Sequence, residues 1–355
     1  MKKVKVAIIG CGKIANSAHG PSYGRNPNVE IAYCIDIIPE RAQSLAETYG
    51  DGGTKAITDY REMLKDPTVD VVSVCVPNYL HAPISIDCLN AGKHVLCEKP
   101  AAMNYAQALE MKAAADRNNR ILNIGVVNRF NAAVNKVRDL IQAGELGEVY
   151  HIYCSFRSYR SIPGLGGPFT TKEMAGGGVL IDWGVHFLDL INYCINSPVV
   201  RSVSGAAFSK LGSNMKEYVF TDMWAGPPDY NGTYDVEEFI TGMVRTEGPT
   251  ITLNGAWAQN INENALFIEF LGDKAGVKLQ YGGNFTLYGT KDGMLTSLTP
   301  SFNNVDMFYE EIDAFIHCAM ENKKIRSNID EVLVTTRMMD GLYESAMTGR
   351  EVVYA

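Results

Sequence analysis

The stretch "VKVAIIGCGKIA" near the start of the chain constrains its fold more than any other. A short apolar run reads as a buried strand. It passes directly into Gly10, Gly12 and Ala15, the G-x-G-x-x-A form of a dinucleotide-binding turn. Glycine at 10 lets the chain turn, glycine at 12 lets backbone approach a pyrophosphate, and alanine at 15 permits close packing of helix on strand. The helix that opens with Lys13 and Ile14 would aim its free N–H groups at the phosphates. A plain tight turn can carry the same glycines, so the flanking sequence has to decide.

The next segment, "VEIAYCID", is a second strand ending in Asp36, near the ~20-residue spacing at which an acid takes the adenosine ribose hydroxyls. A carboxylate there repels a 2′-phosphate and favours NAD over NADP. Arg41 nearby would partly offset that repulsion, and a solvated acid at a strand end is the plainer alternative. Apolar and amphipathic segments then alternate through "AITDYREML", "VDVVSVCV", "APISIDCLNAG", "HVLCEKP", "YAQALEMKAAADRN" and "ILNIG". Strands joined by crossover helices predict an α/β, doubly wound parallel sheet of six strands over residues 1–125, followed by a second domain over residues 126–355.

The totals agree with two domains and with small-molecule chemistry. A chain of 355 residues with 46% hydrophobic content can bury two ordinary cores. Its formal charge of -8 and the absence of a basic run leave no electrostatic footprint for nucleic acid or an anionic membrane. The cysteines are scattered without a C-x-x-C pair, several inside apolar runs, as expected of a reduced, cytoplasmic protein. No segment approaches the ~20 apolar residues of a membrane span. The opening run is cut by Gly10 with no small-residue cleavage site after it, so no leader is expected.

Two further motifs carry reactive groups. "CEKP" ends the fifth strand with Glu98, Lys99 and Pro100, and in an open parallel sheet ligands bind outside the carboxyl ends of the strands. A lysine there, beside an oxidised nicotinamide, would have its pKa lowered by burial and by the positive ring; a surface lysine on a turn is the alternative. "GVLIDWGVHFLDL" places Asp182 and His186 four residues apart, on one face if the stretch is helical. They could ligate zinc with Cys154 or Cys194, but no compact ligand cluster supports this, and no metal is expected. A buried, satisfied pair without chemistry is the other alternative.

Taken together, "GCGKIA", "VPNYLHAP", "CEKP" and "GGGVLIDWGVHFLDL" closely resemble, in motifs, order and spacing, the Gfo/Idh/MocA oxidoreductase family over nearly the whole length. The resemblance implies an N-terminal Rossmann domain, and a C-terminal α+β domain with a large, mostly antiparallel open sheet that forms homodimers or homotetramers. It makes Lys99 the E-K-P lysine and Asp182 and His186 the polar members of D-x-G-x-H, so that acid and imidazole of the second domain would face the lysine of the first across a cleft. Glu98 would hold the nicotinamide ribose, and Pro100 would follow a cis peptide. Pro77, Asn78 and His81 would line the dinucleotide near its middle, and Asn128 and Arg129 would lie close to nicotinamide and substrate. His19 would be near the same cofactor or serve helix packing.

Beyond "VVNRFN" and the helix "AVNKVRDLIQAGELG", good alternation marks strands in "EVYHIYCSFRS", "PVVRSVSGAAFS", "VEEFITGMVRT", "TITLNGAWAQ" and "NALFIEFLG". Two amphipathic helices, "MFYEEIDAFIHCAMEN" and "DEVLVTTRMMDGLYESAMTG", close the chain in a structural role. Arg157, Tyr159 and Arg160 end one strand, where they would reach substrate or a neighbouring subunit. Residues 209–235 form a long loop whose Trp224 and Tyr230 suit the apolar face of a sugar, though an oligomer contact would want them too.

The expected chemistry is NAD(H)-dependent oxidation of a secondary ring hydroxyl of a sugar, glycoside or cyclitol, or the reverse reduction. His186 would be the base because imidazole titrates near neutrality. Lys99 would stabilise alkoxide charge, with the two roles exchangeable, and Asp182 would hold a neighbouring hydroxyl. Oxidation at C3 of a glucoside and inositol oxidation both stand. A non-catalytic, dinucleotide-binding regulator is the alternative of another class, but it has no need of lysine, aspartate and histidine together.

Overall fold

Six strands pair in the order β3-β2-β1-β4-β5-β6, all parallel, in the computed structural model, which describes residues 3–303 and 305–354. They are β1 (Val4–Ile9), β2 (Val29–Ile35), β3 (Lys55–Ile57), β4 (Val71–Val74), β5 (His94–Glu98) and β6 (Leu122–Gly125). The order doubles back between β1 and β4, the switch point at which such sheets open a crevice at their carboxyl ends. Buried on both faces, β4 reads as an unbroken apolar run apart from Ser73, as parallel strands do.

A second sheet of nine strands runs β14-β13-β12-β11-β7-β10-β9-β8-β15. Its members are β7 (Val149–Arg157), β8 (Val200–Phe208), β9 (Phe239–Thr246), β10 (Thr250–Ala256), β11 (Ala265–Gly272), β12 (Gly276–Gln280), β13 (Phe285–Lys291), β14 (Met294–Leu298) and β15 (Val352–Val353). All its pairings are antiparallel except β7 with β10. Ile152, Cys154 and Phe156 of β7 and Ile251 and Leu253 of β10 enter one core with Phe187, Leu188 and Ile191 of the helix Val185–Cys194. Positions of opposite phase, such as Tyr150 and Tyr288, stay exposed.

The chain divides into two compact units, and the division is not the simple cut at residue 125 expected above. One unit takes the chain up to Phe130 together with Val305–Leu333; the other takes the remainder. The physical cause is packing. Ile312, Phe315, Ile316 and Ala319 of the helix Met307–Glu321 share a core with Val6, Ile8, Val29 and Ile31. Truncating one of them, Phe315 to alanine, would cost about 3–5 kcal/mol in that first core.

The run Lys172–Cys194 is long and apolar enough to cross a membrane by length and composition, contrary to the expectation that no segment comes close. Of its most apolar window, 78% is buried inside the protein, the pattern of a core helix.

Candidate active site

In the first unit, β1 delivers the chain to Gly10, whose φ of +88° lies in the left-handed region. A Cβ at Gly10 would stand 2.3 Å from the carbonyl oxygen of Cys75, so neither the conformation nor the space admits a side chain. At Gly12 a Cβ would meet nothing within 4 Å. Open space there, at the foot of the helical run that begins with Lys13 and Ile14 and continues through Ala15–His19, fits the approach of a pyrophosphate to backbone N–H groups.

Asp36 follows the end of β2 and binds the fingerprint loop directly. Its Oδ2 accepts from Cys11 N at 2.8 Å and its Oδ1 from Ile38 N at 2.9 Å, leaving a half-buried carboxylate with further acceptor capacity at the sheet edge. Arg41 lies exposed on the helix Pro39–Tyr49. Ile37, beside Asp36, is 86% exposed, an apolar surface next to the acid.

At the end of β5, Glu98 is buried and its two oxygens have separate partners. Oε1 meets His19 Nε2 at 2.9 Å, and Oε2 accepts from Lys99 N at 3.2 Å. The network extends inward: His19 Nδ1 lies 3.1 Å from Ser73 Oγ, which is 2.7 Å from the Tyr23 hydroxyl. Burial pushes the Glu98 carboxyl up, but the His19 contact and nearby cationic groups outweigh it and hold the pKa below the ordinary value. The carboxylate therefore only accepts, which puts a proton on His19 Nε2. His19 thus joins the E-K-P turn to β4, more than filler between helices.

Lys99 is half-buried and the Lys99–Pro100 bond is cis, as anticipated. The turn is held by His81, whose Nδ1 is 2.7 Å from the Pro100 carbonyl and whose Nε2 is 2.8 Å from that of Val76. With both ring nitrogens on backbone carbonyls and the residue buried, His81 serves the turn's architecture. Pro77 is exposed and Asn78 half-exposed in the short helical turn Asn78–Leu80. Asn128 and Arg129 are buried in the turn Val127–Phe130. Arg129 directs its guanidinium to the backbone carbonyls of Arg326 and, at 3.2 Å, Glu331, so much of its donor capacity ties the returning segment to this unit.

In the second unit, the stretch holding Asp182 and His186 is helical. A π-helical turn, Leu180–Gly184, runs straight into the helix Val185–Cys194. Asp182 is buried and its Oδ2 accepts from Trp257 Nε1 at 3.2 Å; Trp257, fully buried, lies just beyond β10. His186 is half-buried, its ring 6.0 Å from that of Tyr281, which stacks on Phe187 at 4.6 Å. Lys99 belongs to the first unit, and Asp182 and His186 to the second.

Two adjacent acids unnoticed in the sequence bind backbone, Glu237 just before this motif and Glu238 at the long loop. Glu237 accepts from Gly178 N at 2.9 Å and Leu180 N at 3.1 Å, and the Tyr343 hydroxyl donates to it at 2.9 Å. Burial, opposed by these backbone donors, raises the Glu237 pKa. Its neighbour Glu238 accepts from Leu211 N at 2.9 Å and from the Tyr234 hydroxyl at 3.0 Å, fixing the start of the long loop. An adjacent pair of acids opening an alternating strand was the available signal: two carboxylates there need partners if either is buried.

Arg157 and Tyr159 are half-buried at the end of β7, with Arg157 Nε 3.3 Å from Ser155 Oγ and Tyr159 N donating to Asn264 Oδ1 at 2.9 Å. Arg160, at a left-handed φ of 51°, packs its guanidinium on Tyr218. Trp224 and Tyr230 are exposed on the loop, Trp224 in edge contact with Phe169 at 4.9 Å. Among the described residues, no group of three His, Cys, Asp or Glu side chains is placed to hold a metal ion.

Comparison with known proteins gives a consistent result. A family model described as "Oxidoreductase family, NAD-binding Rossmann fold" matches residues 4–126, and the "GFO/IDH/MocA C-terminal domain" matches residues 134–278. The chain is 32% identical over 351 residues to D-glucoside 3-dehydrogenase of Escherichia coli (strain K12), covering 98% of this chain and 97% of that one. It is 30% identical over 216 residues to glucose-6-phosphate 3-dehydrogenase of Bacillus subtilis (strain 168), covering 60% and 59%. The fold is shared with levoglucosan dehydrogenase, solved in complex with NADH and levoglucosan, at a TM-score of 0.86 and 20% identity over 99% of both chains. With the fingerprint loop, the acid after β2 and both family domains in place, the chain belongs to the Gfo/Idh/MocA family of NAD-binding oxidoreductases.

Proposed function

We propose that the protein is an NAD-dependent dehydrogenase that oxidises a secondary ring hydroxyl of a sugar or glycoside, at C3 of a glucoside. The observation that carries the substrate class is the 32% identity, over nearly all of both chains, to a D-glucoside 3-dehydrogenase. The residues this chain offers suit that chemistry.

When bound, NAD supplies the acceptor for the hydride that leaves the alcohol carbon. The chain must then take up the hydroxyl proton and stabilise oxygen charge as the C–O bond becomes a carbonyl. His186 takes that proton, because its half-buried ring carries an imidazole whose ordinary pKa is near neutrality. Lys99 donates a hydrogen bond to the same oxygen. Asp182, oriented by the Trp257 indole, accepts from a neighbouring substrate hydroxyl. Asp36 receives the adenosine ribose, Gly10, Gly12, Lys13, Ile14 and Ala15 receive the pyrophosphate, and Glu98 with Asn78 and Asn128 lies toward the nicotinamide end. Arg157 and Tyr159 line the substrate side.

The first unit is thus the NAD-binding domain and the second the substrate domain. The exposed apolar positions of β13 and β14, Tyr288, Met294, Leu295 and Leu298, suit a homodimer or homotetramer formed through the outer sheet. We place it in a cytoplasmic, reducing setting, where its eight cysteines, none in a disulfide among the described residues, keep their thiols.

The test is direct. Purified protein with NAD is offered methyl glucosides, inositols and sugar acids, and reduced nicotinamide is followed by absorbance. Turnover of a glucoside with a 3-keto product, located by NMR, is expected. Oxidation of inositol alone, or of no ring hydroxyl at all, would overturn the substrate class.

A further inference from the structure

We infer that Glu237 and Tyr343 are positioning residues for the reaction: together they form a cap, supplied from elsewhere in the fold, that sets where the Asp182–His186 helix begins. The inference rests on the catalytic reading of Asp182 and His186 given above.

A helix leaves its first four N–H groups without intrahelical acceptors. Here those groups belong to Gly178, Val179, Leu180 and Ile181, and each has a named acceptor on Glu237 or Tyr343. Gly178 N and Leu180 N donate to the Glu237 carboxylate at 2.9 and 3.1 Å. Val179 N donates to the Glu237 carbonyl at 3.1 Å, and Ile181 N to the Tyr343 hydroxyl at 3.2 Å. That hydroxyl in turn donates to Glu237 at 2.9 Å, closing the network. Asp182 is the next residue, and its N–H makes the bond back to Gly178 O, at 3.1 Å.

Sterics enforce the same arrangement. A Cβ on Gly177 would lie 2.1 Å from the Tyr343 hydroxyl, and one on Gly178 would lie 1.9 Å from the Glu237 carbonyl oxygen. The glycines before the helix are therefore the room that the cap occupies.

The consequence is rotational register. Successive residues of an α-helix are turned by about 100°, so starting the helix one residue early or late would turn Asp182 and His186 together away from where they now lie. Ordinary helices carry the cap on the preceding residue; here glycines precede, and the cap comes from the residues before β9 and from the last long helix, Ile329–Thr348.

The test compares Tyr343→Phe, Glu237→Gln and Glu237→Ala with the intact enzyme, using methyl β-glucoside and NAD. Tyr343→Phe removes one hydroxyl and nothing else. Its kcat is expected to fall roughly ten- to hundredfold, as for a small misplacement of reacting groups, with NADH affinity, read by fluorescence titration, unchanged. Glu237→Gln, which keeps one acceptor, should retain more turnover than Glu237→Ala. Amide hydrogen exchange, which needs no substrate, should accelerate at residues 178–182 in Tyr343→Phe. Added to His186→Ala, Tyr343→Phe should cause little further loss, because both act through the same group.

A folded Tyr343→Phe with full kcat and unchanged exchange at 178–182 would overturn the inference, and so would losses that simply multiply with those of His186→Ala. If Glu237→Ala fails to fold, Tyr343→Phe still decides. Full turnover in His186→Ala would instead overturn the catalytic reading, and this inference with it; an impaired His186→Ala beside a full-rate Tyr343→Phe overturns this inference alone.

Discussion

The two units hold their candidate site residues by opposite means. In the first, Asp36 and Lys99 sit where parallel strands end, and a strand end is fixed by the sheet itself: each is one step beyond a ladder of backbone hydrogen bonds. In the second, Asp182 and His186 sit at the start of a helix whose first N–H groups are bound by Glu237 and Tyr343, with the Asp182 side chain bonded to Trp257, all remote in sequence. A sheet edge carries its own geometry, whereas a helix start borrows it. The first kind of site should therefore tolerate changes around it that the second does not.

The largest expected effect tests whether the two sets share one reaction. Lys99→Ala and His186→Ala should each lower kcat by about 10²–10⁴-fold, the range for losing a general base or an oxyanion donor. NAD affinity should be nearly intact in both, since neither cradles a phosphate. Steady-state kinetics with a titration of NADH checks this; wild-type turnover in either variant would separate the two units functionally.

Next comes Gly10→Ala, which strikes the rigid edge itself. The left-handed φ alone costs about 1–3 kcal/mol in a residue with a side chain, and the 2.3 Å approach to Cys75 O adds to it. Urea unfolding should show a clear loss of stability together with weakened NAD binding. A variant as stable as the parent would mean that the loop re-forms freely and that the contrast between the units is overstated.

Asp36→Ala is expected to weaken NAD by about tenfold, the scale of one hydrogen bond to a charged group, and to narrow the gap to NADP. Dissociation constants for both cofactors measure it. An unchanged preference would place the ribose elsewhere.

The smallest effect sharpens the comparison through pH. His94, opening β5, has its pKa lowered from 6.5 to about 4 by burial first and by Arg120 second, and its Nδ1 accepts from Ile121 N at 3.0 Å. A folded-state pKa below the unfolded one gives stability that is complete above about 6.5 and lost as pH falls toward about 4. His94→Asn keeps an acceptor but does not titrate, so its urea midpoint should fall less than that of the parent across that window. Parallel curves would remove His94 from the acid sensitivity of the first unit.

Much of the first sheet was legible because parallel, doubly buried strands are written as continuous apolar runs and because glycine at 10 and 12 has few meanings after a strand. Less of the second sheet was. β7 to β11 alternate and could be read, but β14 is exposed along its whole length and leaves no pattern. The helix Met307–Glu321 was visible as a helix, yet its apolar stripe does not name the core it joins. His81 was expected as a cofactor contact from its motif, and the carbonyls of Val76 and Pro100 that its two nitrogens meet had no signal in the sequence.

The order of residues alone determined the parallel sheet, the dinucleotide turn and the i, i+4 spacing of Asp182 and His186, since each depends on neighbours within a few positions and on backbone sterics. Tertiary structure decided where the helix bearing Asp182 and His186 starts, which carboxylates are held by buried donors, and which core the returning helix completes. Those outcomes depend on groups brought together from distant parts of the chain, such as Glu237 and Tyr343 at Gly178 and Ile181, and local periodicity carries no record of such meetings.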